Sequence, residues 1–282
     1  MFERISNGWN LALESWHVLR QDKQLLVFPL FSGIACLLVL ASFAAPLMLT
    51  GYGQVLAEDP DGMQNPVAWL LLFAYYCVNY FVIVFFNSAL VACAAIRLRG
   101  GDPTIGSGFR AAMNRLPQIA GWAVASATVG VILKAIESRS EKVGAIVAAL
   151  LGAAWTIGTF FVVPVLVIER LGPIDATKRS LAIIRDTWGE SLVANMGIGL
   201  LVTLAALPLV ALLMGGIYLL QAGPPAVGGT LIALAILGMI LLSLISSALD
   251  AIVLTALYLY AADDTPPGAF DGRLLRQAFA SK

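Results

Sequence analysis

The chain has 282 residues, of which 60% belong to the hydrophobic class and only 12% are charged. Soluble domains have roughly 45–50% apolar and about 25% charged residues, so the composition excludes an ordinary soluble protein and indicates a polytopic helical membrane protein. Basic and acidic residues balance at 17 each. No bulk charge is therefore left to attract nucleic acid.

The sequence also narrows the chemistry that the chain can perform. It has one histidine, His17, and its cysteines Cys36, Cys77 and Cys93 all lie in apolar stretches, so neither a metal site nor a disulfide framework is expected. No Gly-rich phosphate loop, GxSxG elbow or HExxH motif occurs. We therefore expect no cofactor and no enzymatic activity, and a membrane-embedded lipid enzyme is the least favoured class.

Six apolar stretches are long enough, at 1.5 Å per residue, to cross roughly 30 Å of hydrocarbon as helices. In chain order they are Leu25–Leu49, Pro66–Ile96, Pro117–Ile136, Val143–Ile168, Ser191–Leu220 and Val227–Ala262. The second and sixth are about ten residues longer than one crossing needs, so they must tilt, break or extend beyond the bilayer. The first is too long for a signal peptide, and we expect an uncleaved span. Pro164 and Pro208 predict kinks in the fourth and fifth spans.

Lys and Arg gather in alternate connections between these stretches. Fourteen of the 17 lie in the N-terminal segment, the second and fourth connections and the tail, whereas the third connection has three and the first and fifth have none. Basic residues resist translocation. We therefore expect both termini in the cytoplasm, in a multi-pass protein of the bacterial inner membrane.

Each expected cytoplasmic segment also carries a short amphipathic helix, which should lie at the interface or cap the bundle. The first has an apolar stripe, with Ser15 pointing elsewhere; the second begins at Pro103, the third begins at Pro173, and the tail has a weaker version. The stripes are Phe2, Ile5, Trp9, Ala12 and Trp16; Ile105, Phe109, Ala112, Met113 and Leu116; Ile174, Thr177, Leu181, Ile184 and Trp188; and Phe270, Leu274 and Ala278.

The order of helices predicts one all-α membrane domain over residues 1–282. An interfacial helix followed by two spans occurs three times, in units 1–100, 101–170 and 171–262, and an interfacial helix at 265–282 closes the chain. Parallel repeats of this kind are related by an axis along the membrane normal. The alternative is that a six-span protein with short outer turns shows this order by chance.

Several residues also resemble a known family. They are Ser15, Trp16, Leu19, Asp22, Lys23, Leu25, Leu26, Phe28, Pro29 and Ser32, followed by Asn87, Ser88 and Ala89. With them the sequence resembles domain-of-unknown-function family 6159, bacterial membrane proteins, along nearly the whole chain. This resemblance implies a six-helix inner-membrane fold and no established activity. In layout alone, the helices also resemble membrane domains attached to glycerophosphodiester phosphodiesterases, without the metal-dependent soluble domain that hydrolyses their substrate.

Polar residues inside the apolar stretches are the natural candidates for a site, because hydrocarbon offers them no water. Asp250 could carry a proton or bind a cation; alternatively it lies near the headgroups and pairs with an arginine of an amphipathic helix. Asn79 and Asn87 are eight residues apart and share a helix face, so with Ser88 they could line a polar seam. The alternative for these residues is interhelical hydrogen bonding, worth about 0.6 kcal/mol on average.

Two further groups of residues point to contacts with lipid and protein. The basic residues of the second and fourth connections are candidates for binding anionic lipid headgroups: Arg97, Arg99, Arg110, Arg115, Lys178, Arg179 and Arg185. Positive-inside topology explains them equally well. Gly144, Ala148 and Gly152 repeat every four residues and predict a close helix contact, within the chain or with another copy. At the end of the fourth span, Glu169 and Arg170 are expected to form a local ion pair or helix-end contact.

Two functions follow from these observations. The first is a non-enzymatic scaffold or assembly subunit that associates with membrane lipids and with copies of itself or other membrane proteins. The second is a carrier or channel for an ion or small amphiphile that uses Asp250, Asn87 and Asn79. Intramembrane polar residues favour the carrier, and the amphipathic helices with the small-residue repeat favour the scaffold.

Overall fold

The computed structural model describes residues 2–51, 66–138, 143–186 and 190–263, and within these ranges the regular structure is helical throughout. The helices are α1 (Phe2–Gln21), α2 (Val27–Leu49), α3 (Pro66–Leu98), α4 (Ile105–Met113), α5 (Leu116–Ser138), α6 (Val143–Gly158), α7 (Pro173–Asp186), α8 (Glu190–Ala222) and α9 (Pro225–Asp263). A 3-10 turn, Lys23–Leu26, precedes α2, and a helical turn and a π-helical segment, Val162–Pro164 and Val165–Glu169, follow α6.

Among the described residues, six helical stretches are long and apolar enough to cross a membrane. They are Lys23–Leu49, Pro66–Leu98, Leu116–Ser138, Val143–Glu169, Val202–Ala222 and Pro225–Ala262. Each of the corresponding helical stretches begins and ends within two residues of its predicted bounds, the fifth as part of α8. The predicted fold class, an all-α polytopic membrane protein, is therefore confirmed. The predicted helix at 265–282 lies outside the described residues.

The described residues form two compact units, and neither is continuous in sequence. Unit 1 consists of Met1–Leu26, Ala94–Asp102 and Thr187–Lys282, and unit 2 consists of Val27–Cys93 and Pro103–Asp186. These bounds cut across the three tandem units that the sequence predicts, and the threefold repeat stays a prediction.

In unit 1, α1 packs on α8 and α9 through a face that includes Ala12 of the predicted stripe but not Trp9 or Trp16. The buried face carries Leu11, Ser15 and Val18, whereas Trp9 and Trp16 are exposed. Burial of Ser15 is tolerated because its hydroxyl donates to the Leu11 carbonyl at 2.8 Å. The prediction that Ser15 points away from the contact is therefore wrong, and the two tryptophans lie on the outer side of α1.

The last two helices, α8 and α9, form an antiparallel hairpin whose backbones approach closely. A Cβ atom on Gly216 would lie 3.0 Å from the Gly228 carbonyl oxygen, and one on Gly228 would lie 2.8 Å from the Gly216 carbonyl oxygen. Further along, the side chain of Leu209 packs on Gly238, where a Cβ atom would lie 2.6 Å from Leu209 Cδ2. Glycines thus permit a backbone contact that no larger residue could make. Helix α8 remains helical through Pro208.

In unit 2, α4 lies directly on α3, and a phenylalanine cluster surrounds the contact. The cluster consists of Phe28, Phe31, Phe85, Phe86 and Phe109, with ring centroids 5.4–6.4 Å apart. Helix α4 begins at Ile105, two residues after the predicted start at Pro103. The reason is a capping box, in which Thr104 accepts the Ser107 N–H at 3.1 Å and Ser107 accepts the Thr104 N–H at 2.9 Å. Met113, predicted on the apolar stripe, is exposed.

The fourth span is broken, and α7 packs into the break. Helix α6 ends at Gly158, and a turn separates it from the helical turn that contains Pro164 and from the π-helical segment. The Phe161 N–H in this break donates to the buried hydroxyl of Ser180 on α7 at 3.1 Å. The buried face of α7 is therefore Ala176, Ser180 and Ile183.

The predicted stripe of α7 is wrong at Ile174, which is 73% exposed. Leu181 is 41% exposed but packs over Gly158, since a Cβ atom there would lie 3.2 Å from Leu181 Cδ2; Trp188 lies outside the described residues. Two of the three buried positions, Ala176 and Ser180, have small side chains, which admit close approach and let Ser180 satisfy a free backbone N–H.

Candidate functional site

The intramembrane carboxylate, Asp250, belongs to unit 1 and lies far along α9. It is 25 residues beyond Pro225, so a helix places it about 37 Å from that end, farther than the roughly 30 Å of hydrocarbon. Its side chain is half-buried and accepts a hydrogen bond from Ser246 at 3.4 Å. Within the part of the chain that is described, it has no ion pair with an arginine. The length of α9 before Asp250 agrees with the alternative that places this carboxylate near the headgroups, which stays a prediction.

The polar residues of α3 belong to unit 2 and do not all lie on one face of the helix. Asn79 is half-buried, and its Oδ1 is enclosed with no donor among the described residues. Ser88 is fully buried, and its Oγ is likewise without a partner there. Nine residues of helix rotate by 900°, so these two groups lie on opposite sides of α3. Asn87 is half-buried. Neither unit by itself brings Asp250 together with these residues.

Several candidate lipid-binding bases are used within the protein instead. In unit 1, Arg97 binds Asp22 through both Nε and Nη2, the latter 2.9 Å from Oδ1, and also lies 3.0 Å from Asp102 Oδ1. Asp22 is only 6% exposed, whereas Asp102 is 92% exposed. The guanidinium of Arg97 therefore joins the segment after α1 to the end of α3. Of its two carboxylate partners, the buried Asp22 forms the stronger ion pair.

In unit 2, Arg179 on α7 pairs with Glu169 at 2.9 Å. Glu169, which was expected in a local ion pair or helix-end contact, thus pairs with a base ten residues along the chain. Lys178 forms an exposed pair with Asp175 at 3.4 Å. The remaining candidates Arg99, Arg110 and Arg185 are exposed.

Unlike Arg97, Arg179 and Lys178, Arg115 has no carboxylate partner among the described residues. Its Nε is enclosed and has no acceptor among the described residues, and Gln118 Oε1, three residues later on the same helix face, is enclosed without a donor. Burial, and then the positive charge of Arg170, lower the pKa of Arg115, although an arginine stays protonated in proteins. The sequence analysis did not single out Gln118, and it considered Arg170 only together with Glu169.

The loop that follows the fourth span has an unusual backbone conformation at Arg170 and a close contact at Pro173. It has φ 63° and ψ 28°, the left-handed conformation, and no other non-glycine residue in the described ranges has a positive φ. Three residues later, Pro173 lies against α5, since a Cβ atom on Gly121 would be 3.0 Å from its ring. Pro173, at the start of α7, therefore packs on α5 at Gly121.

The small-residue repeat of α6 packs on α5 of the same chain. A Cβ atom on Gly144 would lie 2.5 Å from the Ile136 carbonyl oxygen, and one on Gly152 would lie 3.7 Å from Leu133. Trp122 and Trp155 stack across the same pair of helices with centroids 5.5 Å apart. Ala148 is half-buried between the two glycines. These contacts stabilise the α5–α6 pair.

A groove of about 340 Å³ opens between α2 and α3, lined by Ser42, Phe43, Pro46, Leu47, Thr50 and Leu71. Its two hydroxyls, on Ser42 and Thr50, each donate to a carbonyl of their own helix at 2.7 Å. The groove therefore presents an apolar surface and suits a hydrocarbon chain better than a polar substrate.

The six spans and the interfacial helices packed on them define an integral, multi-pass helical membrane protein. Comparison with protein families gives a match to the family of unknown function DUF6159 over residues 66–268, and the chain belongs to that family. The match includes Asn87, Ser88 and Ala89, whereas the N-terminal residues of the resemblance precede it. The search of curated proteins found no match.

Proposed function

We propose that this protein is a non-enzymatic membrane scaffold or assembly subunit that associates with copies of itself or with other membrane proteins. The observation that carries the proposal is the exposure of the α8–α9 hairpin. Only 6% of the apolar window in Val202–Ala222 and 11% of that in Pro225–Ala262 is buried. The outward side chains include Leu204, Leu207, Met214, Tyr218, Leu234 and Leu237. In a bilayer these faces are free to contact the helices of a neighbour.

Cysteine cross-linking in native membranes tests this proposal. Cys36, Cys77 and Cys93 are first replaced by alanine, and Leu207→Cys is compared with Leu150→Cys, which is similarly exposed on α6 at 68% against 58%. A bifunctional thiol reagent should link the variant at position 207 to a second copy or another membrane protein, and the variant at 150 less. A strictly monomeric particle in mild detergent, with no co-purifying protein and no cross-link at 207, would contradict assembly.

A carrier or channel is the second candidate, favoured by the enclosed and unpartnered atoms of Asn79 and Ser88 in a membrane span. Proteoliposomes that contain the purified protein are tested for proton and sodium flux. Asp250→Asn and Asn79→Leu should each abolish such flux if these groups lie on the pathway. Flux that is absent, or unchanged in both variants, rejects this function.

We also propose that the basic ends of the spans face the cytoplasm of a bacterial cell, with both termini on that side. The support is the uneven distribution of Lys and Arg along the sequence. Reporter fusions after residue 57 and after residue 282 should report opposite compartments. Identical compartments for the two fusions would reject this topology.

A further inference from the structure

Helix α1 of unit 1 divides its side chains into three sectors around the helix axis. One sector packs on α8 and α9 and is buried. At about 100° per residue, the exposed surface falls into two further sectors. The apolar sector covers roughly 60° and contains Trp9, Leu13 and Trp16, which are 38–49% exposed. The polar sector follows it around the axis and contains the exposed residues His17 and Gln21.

Two exposed sectors of different character indicate two different surroundings. A helix that packs on protein and otherwise faces water shows one apolar and one polar side. Single exposed apolar residues are ordinary, but here three large ones share a narrow arc. Two of them are tryptophans, whose rings favour the level of the lipid headgroups. The apolar sector therefore fits a helix that lies against lipid on one side, while the polar sector fits water.

The C-terminal end of α1 lies at the edge of two membrane spans. The first span begins at Lys23, two residues after α1 ends, and the second span ends at Leu98. Asp22 binds Arg97 with two hydrogen bonds, so both span ends meet next to α1. Trp16 precedes Asp22 by about 9 Å along a helix, whereas a headgroup layer is roughly 5–7 Å deep. A tilted α1 therefore places Trp16 in that layer.

The charge on this face also suits a lipid surface. Arg20 lies in the apolar sector, four residues beyond Trp16, and it is exposed. Between Trp9 and Arg20 the sector has no acidic residue. An arginine can lay its apolar stem along hydrocarbon while its guanidinium reaches the phosphate oxygens of lipids. The sector therefore complements the surface of a bilayer that contains anionic lipids.

Helix α7 of unit 2 shows the same arrangement independently. Four of its exposed residues have the spacing of the four residues in the apolar sector of α1, and they are Ile174, Lys178, Leu181 and Arg185. A buried serine lies six residues after the first of them in both helices, Ser180 on α7 and Ser15 on α1. Because helices of two different units repeat the pattern, it indicates a shared role of their outer faces.

We propose that the apolar sector of α1, formed by Trp9, Leu13, Trp16 and Arg20, inserts into the headgroup layer of the bilayer, where Arg20 binds the phosphate of an anionic lipid. The polar sector faces water, and the buried sector contacts α8 and α9. Helix α1 thus joins the lipid surface to the α8–α9 hairpin. The inference goes beyond the scaffold role and is independent of it, because it assigns lipid and not protein to a named surface.

Spin labels on two consecutive residues test the contact with lipid. Trp16→Cys and His17→Cys are made in the full-length protein with its three cysteines replaced by alanine, and each is placed in vesicles of phosphatidylglycerol and phosphatidylcholine. The two positions lie about 100° apart at the same level of the helix. Oxygen concentrates in lipid, and a nickel chelate stays in water. The ratio of oxygen to nickel collisions should be several times higher for the label at 16 than for the label at 17.

The other outcomes of the labelling overturn the proposal. Equal access of the nickel chelate to both labels would place both exposed sectors in water. A label at position 16 that neither reagent reaches would show that protein covers this face, which contradicts a lipid contact although it agrees with the scaffold role. Trp9 and Leu13 are retained in both variants, so the loss of one tryptophan leaves most of the apolar sector intact.

The preference for anionic lipid tests Arg20. A fluorophore on Trp16→Cys is quenched by spin-labelled phosphatidylglycerol or by spin-labelled phosphatidylcholine at equal mole fraction, and the ratio gives the relative affinity for the anionic lipid. This affinity should fall about fivefold in Arg20→Gln, as expected for one basic contact at a membrane surface, and Arg20→Lys should stay close to the parent. A ratio near one in the parent, or an unchanged ratio in Arg20→Gln, would overturn the role of Arg20.

Discussion

The contact between α4 and α3 makes a sharp prediction, because two glycines on one short helix meet different surroundings. A Cβ atom on Gly108 would lie 2.6 Å from Phe28 Cζ, 2.7 Å from Cys93 Sγ and 2.9 Å from the Ala89 carbonyl oxygen. The phenylalanine ring can turn, but the carbonyl is backbone and the thiol is enclosed. The nearest atom to a Cβ on Gly106 is 4.0 Å away. Gly108→Ala therefore clashes, and Gly106→Ala does not.

The difference between the two alanine variants isolates the cost of the clash. Both substitutions stabilise the protein by about 0.4–1 kcal/mol, because alanine restricts the unfolded chain more than glycine does. Only Gly108→Ala also forces α4 away from α3, and overpacking of this kind costs about 1–3 kcal/mol. We expect Gly106→Ala to be neutral or slightly stabilising, and Gly108→Ala to be less stable than Gly106→Ala by about 1–3 kcal/mol.

Reversible unfolding in mixed micelles, followed by circular dichroism as the fraction of denaturing detergent rises, measures both free energies. The Thr104 capping box is unchanged in both variants, so helix initiation does not contribute to the difference. Equal stability of the two variants would show that α4 does not lie against the Ala89 carbonyl, and the packing described for this half of unit 2 would be wrong.

Two further predictions use the same unfolding measurement. Asp22→Asn should lower the free energy of unfolding by about 3–5 kcal/mol, because it leaves the Arg97 guanidinium without its buried counter-charge. Asp102→Asn, at the 92% exposed partner, should lower it by less than about 1 kcal/mol. Similar losses in the two variants would refute the assignment of Asp22 as the stronger partner. Ser180→Ala should cost about 1–3 kcal/mol by removing the acceptor for the Phe161 N–H. Thr156→Val, at an exposed hydroxyl that bonds its own helix, is the control, and no excess loss in Ser180→Ala would refute the docking of α7.

The ends of the spans could be predicted from sequence because long apolar stretches and bilayer thickness fix them almost alone. The faces of the short helices could not. On α1 and α7 the sequence rule assigned large apolar side chains such as Trp9 and Ile174 to the protein. Next to a membrane, large apolar side chains can equally face outward, and the buried faces are instead marked by Ser15 and Ser180.

The candidate sites were predictable only as separate residues. Arg115 stood out because it is basic and close to the membrane, but Arg170, whose positive charge helps to lower the pKa of Arg115, lies 55 residues away in sequence. No periodicity connects residues so distant. Conversely, the sequence prediction added Ser88 to a seam based on the spacing of Asn79 and Asn87, although the nine residues from Asn79 to Ser88 turn the helix through 900° and place these two on opposite sides.

The discontinuity of unit 1 has a consequence for biogenesis. Helix α1 is made well before α8 and α9, the helices that bury its inner face, because about 170 residues separate them in the chain. At about 5–20 residues per second, Leu11 and Val18 wait on the order of ten seconds or more for that partner. During this interval the apolar face of α1 has to be covered by something other than its final partner, so the order of synthesis and the order of packing differ in unit 1.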